Sequence, residues 1–387
     1  MDLDTLKALL DVKRRASLHK KILNFLKDLN SLDFLEFQKF ETNEGDLPVL
    51  SLRGENSNDS IKYAKIFVAA QHNEYNGLFS IIDFFKELLK GTLKPNEVIL
   101  DDQILIFFPL MNPYGFIHPS EVNKSGYYLK NGSNLNRFWR RTFSPGYENI
   151  GNDLNQFPIP EHCKIVRSYL NEIWSDESIK LYFLDFHETS LLKKFPDLLN
   201  RKLEEKSISF KFDHWLKEGI IFNVIKLYEI PYYRKPLFFK CNPSANHTHL
   251  NLSIKQIDQV CEKLKEYIQK NEGKVPFYFC YSDKSKNYCE RLASKVYENL
   301  KPILWETYFP AFDHHFHDHG CFVKMSDATS RPNVYSFELE SQKQFFNLDD
   351  EIQKSENDPY YFDQKLAFIN KSLKLSLESI KTMIPLF

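Results

Sequence analysis

A chain of 387 residues with 42% apolar and 27% charged content has the make-up of a packed globular protein, which excludes a disordered one. Its 51 Lys and Arg against 52 Asp and Glu leave a formal charge of −1, so no strong field attracts nucleic acid or an anionic membrane. The length suits one large α/β domain with an appendage. Cys163, Cys241, Cys261, Cys280, Cys289 and Cys321 form no CxxC pair and no metal-finger spacing, and read as reduced, buried thiols. The opening stretch "MDLDTLKALLDVKRRASLHKKILNFLKDL" has no uninterrupted apolar core of a signal peptide, and no window approaches about 18 uncharged apolar residues. The expectation is a soluble, cytoplasmic protein, with export by a signal-less route the other way to the same sequence.

Along the chain, residues 3–28 carry apolar positions at helical spacing and predict leading helices. From 30 to 60 the pattern is broken and polar, ending in the loop-like "SLRGENSNDS", so 1–60 reads as N-terminal helices and a lead-in. Three apolar runs follow: "IKYAKIFVAA" (61–70), "QILIFFPLM" (103–111) and "LYFLDF" (181–186). Runs of this length suit strands buried on both faces of a mainly parallel sheet. Helical patterns at 78–90 and 161–174 alternate with them, which predicts a mixed α/β fold with a mainly parallel central sheet flanked by helices. The stretch 191–330 reads as an insertion or subdomain, with helical patterns at 253–270 and 288–300 and a strand at 274–282. The chain returns to a strand at 333–340 and closes on a helix at 361–383, so 61–190 and 331–387 form the principal domain.

Charged or ligating groups gather at the ends of these apolar runs. They are Gln71, His72 and Glu74 after the first, Asn136 and Arg137 in "NLNRFW", His187 in "LYFLDFHETS", and Glu338 in "SFELES". The carboxyl ends of strands in open α/β sheets are where ligands bind. A catalytic zinc takes three protein ligands and leaves one position open. A carboxylate that is not a ligand can serve as general base, and an Arg can grip a carboxylate through its planar fork.

In this order the pieces resemble the zinc carboxypeptidases of the carboxypeptidase A family and their aspartoacylase and succinylglutamate desuccinylase relatives, over 61–190 and 333–341. "MNPYGF" is similar to the family's Asn-Pro-x-Gly-Phe, and "NLNRFW" to its Asn-Arg motif. The resemblance implies one zinc held by Glu74, by His187 and by the residue three before Glu74. It implies Glu338 as general base, with Asn136 and Arg137 holding the substrate's carboxylate. Counting back from Glu74 places Gln71, a neutral amide, where the family has His. His72 is the competitor, although a regular strand would point it to the opposite face. Glu340 is the rival to Glu338, and Asp185 a candidate partner for His187.

The family's carbonyl-polarising Arg has no match upstream of Asn136, where Lys124 is the one cation well inside the stretch. The run "FDHHFHDHG" places His314, His315, His317 and His319 around Phe316, where related enzymes carry a mobile loop with a substrate-contacting Tyr; a solvated loop is its plainer reading. The implied function is a zinc-dependent hydrolase that cleaves an amide or peptide bond beside a free carboxylate, on a peptide or N-acyl amino acid. An N-acyl amino acid deacylase and a non-catalytic binding protein of the same fold are the alternatives.

Overall fold

In the computed structural model, which describes residues 1–54, 61–144, 146, 157–189, 223–231, 233–240, 246–251, 254–313, 320–344 and 348–387, eight strands form one mixed sheet. Those eight are β1 (Leu35–Phe40), β2 (Leu47–Arg53), β3 (Tyr63–Val68), β4 (Gln103–Phe108), β5 (Lys180–Thr189), β8 (Phe277–Tyr281), β9 (Ala311–Asp313) and β10 (Val334–Gln342), and two more strands, β6 (Tyr233–Lys240) and β7 (Asn246–Asn251), stand apart from them. Their order is β1-β2-β4-β3-β5-β10-β8-β9, with β6 and β7 pairing apart from it. The centre, β4-β3-β5-β10, is parallel throughout. Parallel strands covered by helices on both faces need apolar residues at every position, which is why these segments read as continuous apolar runs.

The period of two sorts those residues between two cores. Ala64, Ile66 and Val68 of β3 join Ile104, Ile106, Leu181 and Phe183 on one face, covered by Trp139, Phe143, Cys163, Val166 and Phe322. Phe67, Leu105, Phe107, Leu184 and Phe186 face the other side, beneath α1 (Leu3–Leu10), α2 (Val12–Asp28), α3 (Asn76–Leu89) and the helices Lys286–Leu300 and Tyr361–Leu386. Lys65 interrupts the run yet is fully buried. Its ammonium donates to Gln103 Oε1 at 2.6 Å and to the carbonyl of Ile384, near the negative end of the last helix, while burial pushes its pKa down to about 8.

Two stretches of the chain differ from the expectation. The polar stretch after residue 30 contains β1 and β2, an antiparallel pair at the sheet's edge. Within 191–330, β8, β9 and the helix Lys286–Leu300 belong to the main sheet and its cover. Among the described residues no helix is long and apolar enough to cross a membrane.

Candidate metal centre

The segment after β3 builds the first part of the site. The strand's pairing with β4 carries on through Ala69, whose N–H donates to Phe108 O at 3.0 Å, and Asn112 N–H then donates to Ala70 O at 3.0 Å. At Ala70 φ is +51°, a left-handed conformation that turns the chain and ends the alternation of a regular strand. Strand alternation therefore does not set the directions of Gln71 and His72. Gln71 is buried with both ends of its amide engaged: Nε2 donates to Asp185 Oδ2 at 2.5 Å, and Oε1 accepts from the Trp139 indole at 2.6 Å. His72 and Glu74 face each other, with Nδ1 3.4 Å from Glu74 Oε2.

The second part comes from β5 and β10. The apolar run stops at Phe186, but the strand continues to Thr189, so His187 lies inside it. Parallel pairing sets Asp185 beside Glu338 and His187 beside Glu340, and the period of two directs all four to one face. His187 Nδ1 lies 2.8 Å from Glu74 Oε2, and its Nε2 lies 2.7 Å from Asp185 Oδ2 and 4.0 Å from Glu338 Oε2. His72, Glu74 and His187 thus bring one ligand atom each within 4.8 Å of one another; Asp185, His187 and Glu338 do the same on the far side of the imidazole.

Hydrogen bonding fixes the tautomer of His72. Asn134 Oδ1 accepts from the Asn136 backbone N–H at 2.9 Å, which identifies that atom as the oxygen, and His72 Nε2 lies 2.9 Å from it. Nε2 therefore carries the proton, and Nδ1 presents a lone pair. Burial pushes the His72 pKa down, so the ring stays neutral. A bare nitrogen and a carboxylate oxygen then face each other at 3.4 Å with no proton between them, an unfavourable pairing that a cation would relieve.

The remaining charges are strongly coupled. Burial disfavours ionised Glu74, but Lys343 and the hydrogen bond from His187 outweigh it and hold its carboxyl well below the usual range. Burial likewise opposes charge on His187, yet Asp185 and Glu338 hold its pKa well above the ordinary value. Burial raises Glu338 against the pull of His187, and burial together with Glu338 holds Glu340 well above the carboxylate range. Asp185 Oδ1, Glu338 Oε2 and Glu340 Oε2 are buried and make no hydrogen bond.

Among the other expected site residues, Asn136 is buried and committed: its Nδ2 approaches His187 Nε2 at 3.2 Å, and its Oδ1 accepts from Phe322 N–H at 2.8 Å. Arg137 is partly exposed, donates to Asn136 O at 2.7 Å, and its charge acts on Glu338. The His314–His319 run and the side chain of Lys124 lie outside the described residues.

Three residues enter that the sequence did not single out. Tyr127 stacks on His72, with ring centroids 3.9 Å apart and planes 11° from parallel. Lys343 Nζ donates to Glu74 Oε1 at 3.2 Å. Glu188 accepts from the N–H groups of Asn76 and Gln344, both at 2.9 Å, tying the start of α3 to the end of β10. Only Glu188 carried a local signal, standing next to His187 at the end of an apolar run.

No family model and no curated protein matches the chain. Solved structures do. Thrombin activatable fibrinolysis inhibitor superposes with a TM-score of 0.53 at 11% identity, over 95% of this chain and 73% of its own. Metallo-carboxypeptidases from Burkholderia cenocepacia and Pseudomonas aeruginosa align at 14% identity each. The first covers 91% of this chain and 66% of its own with a TM-score of 0.46; the second covers 94% and 67% with a TM-score of 0.45. This chain thus spans about two thirds of the length of those two. The fold is a carboxypeptidase-like mixed α/β fold.

Proposed function

We propose that this protein is a zinc-dependent hydrolase of carboxypeptidase type, cleaving an amide or peptide bond beside a free carboxylate. The observation that carries this reading is the meeting of His72, Glu74 and His187 at the carboxyl ends of β3 and β5, with the Glu338 carboxylate beside them. Two imidazoles and one carboxylate are a donor set suited to a catalytic zinc, and the facing lone pairs of His72 and Glu74 call for a cation. Bound there, the ion would supply Lewis acidity to the scissile carbonyl and to a water.

His72 Nδ1, Glu74 Oε2 and His187 Nδ1 would hold it. Gln71 would act one step removed: it braces Asp185, which orients His187 by accepting from Nε2–H. The unpartnered Oε2 of Glu338 would take the proton of the attacking water and return it to the leaving amine. Arg137, with Asn136 Nδ2 beside it, would hold the substrate's carboxylate, while Asn136 Oδ1 stays on the Phe322 N–H.

Substitution Glu338→Gln tests the reading on C-terminal peptides and N-acyl amino acids. It removes a base and not a ligand, so bound zinc should remain while turnover falls by about 10²–10⁴-fold. Undiminished turnover on both substrate classes would remove Glu338 from the reaction, and the relative rates of the wild type on the two would define the substrate.

A further inference from the structure

We propose that Lys343 is a positioning residue that holds Glu74 as a one-oxygen ligand and so sets the coordination number and affinity of the metal centre. The inference rests on the metal-site reading above.

Lys343 follows directly on β10, and its backbone leaves little freedom. Its N–H donates to Thr189 O at 2.8 Å, and the next N–H, of Gln344, is held by Glu188 at 2.9 Å. Both anchors lie within two residues of His187, so the end of β10 is clamped against the end of β5. The side chain is only 10% exposed and turns toward the site. There Nζ donates to Asn73 Oδ1 at 2.7 Å and to Glu74 Oε1 at 3.2 Å, and stands 5.1 Å over the ring of Tyr127 that stacks on His72.

The two oxygens of Glu74 are thereby divided. Oε2 faces Nδ1 of both imidazoles, at 3.4 and 2.8 Å, while Oε1 faces an ammonium. A carboxylate that grips a metal with both oxygens needs both on the metal side, and the ammonium on Oε1 opposes that. It also withdraws electron density from the ligand and repels a cation, which weakens binding and leaves the ion a stronger Lewis acid. A buried ion pair contributes little to stability, because desolvation offsets its attraction, so stability alone gives no reason for this charge beside a ligand. The family's cation upstream of Asn136 has no match in the sequence, and the cation at this site arrives from beyond β10.

Cobalt(II) in place of zinc reports the coordination number, because the visible bands of a four-coordinate cobalt site are several-fold stronger than those of higher-coordinate sites. Wild-type protein and Lys343→Arg should show strong bands. Lys343→Met should free Oε1 for the metal: bands several-fold weaker, and cobalt held about 10-fold more tightly in competition with a chelator. Lys343→Gln, a second neutral variant, should match it and stands in if Lys343→Met fails to fold. Neutral variants with wild-type bands and affinity, or with weaker binding, would overturn the proposal, as would an Arg variant that behaves like Met. Absence of cobalt bands from the wild type would instead overturn the metal-site reading beneath it.

Discussion

Replacing Gly77 by Ala should damage the protein more than a single methyl suggests. Gly77 opens α3, the helix that follows Glu74, where it packs onto β5 immediately before His187. An added Cβ would lie 2.8 Å from Ala69 Cβ and 2.8 Å from Phe186 Cγ, and closer still to Phe186 Cβ. Carbon atoms pack comfortably at about 3.5–4.0 Å. Ala69 Cβ and Phe186 Cβ are fixed to the backbone, so no rotamer change relieves the overlap, and the helix must move off the sheet. The cost should be about 3 kcal/mol, the upper end for overpacking. With an unfolding entropy of about 2.1 cal/mol/K per residue, 387 residues turn that into a melting point lower by about 4 °C. Gly91→Ala is the control: its φ of +68° strains an Ala, but no atom lies within 4 Å, so about 1 kcal/mol is expected. A Gly77→Ala protein melting within about 1 °C of wild type would refute the close approach of α3 to β5.

His72→Ala should abolish tight zinc binding, whereas Gln71→Ala should keep the ion with affinity reduced about 10–100-fold through the loss of Asp185's brace; equilibrium dialysis distinguishes the two, and the reverse order would make Gln71 the ligand. In the metal-free protein, stability should depend on pH with a definite sign. Burial holds Glu188 up at about 7, so the folded state binds that proton more tightly than the unfolded chain does. Its contribution is present at low pH and is lost as pH rises from about 4.5 through about 7. The raised His187 adds stability that is full below about 6.5 and is lost as pH climbs through its folded value, so both act in the same direction. Burial pushes His19, His72 and His162 down, which acts the other way up to about pH 6.5, so the melting temperature of the chelated protein should fall between about pH 6.5 and 8, and Glu188→Gln should lessen that fall; a rise over this range would contradict the raised Glu188 and His187.

Much of the fold was legible because burial on both faces leaves a plain mark. "KIFVAA", "QILIFF" and "LYFLDF" sit in the central parallel strands, and Gly77 opens the helix between the first two. β1 was not legible, since an edge strand half in solvent carries no continuous apolar run: Glu36, Gln38 and Lys39 interrupt it. β2 is buried, but Pro48 near its start and the polar loop after it disguise it. Glu74, His187, Asp185 and Glu338 were legible because each interrupts or ends an apolar run, where a charge needs a reason. The choice between Gln71 and His72 was not, because it turns on the left-handed backbone of Ala70, a conformation that an alanine does not advertise. Tyr127 and Lys343 reach the site only through tertiary packing. Trp139 stands among Arg137, Arg140 and Arg141 in the sequence, yet its indole is fully buried against Gln71.

The metal content of the purified protein, set against that of His187→Ala, tests the central claim most directly. His187 is common to both groups of converging ligand atoms. One zinc per wild-type chain should survive dialysis against a weak chelator, and none should remain in the variant. A wild-type chain that takes up no zinc even on reconstitution would contradict it.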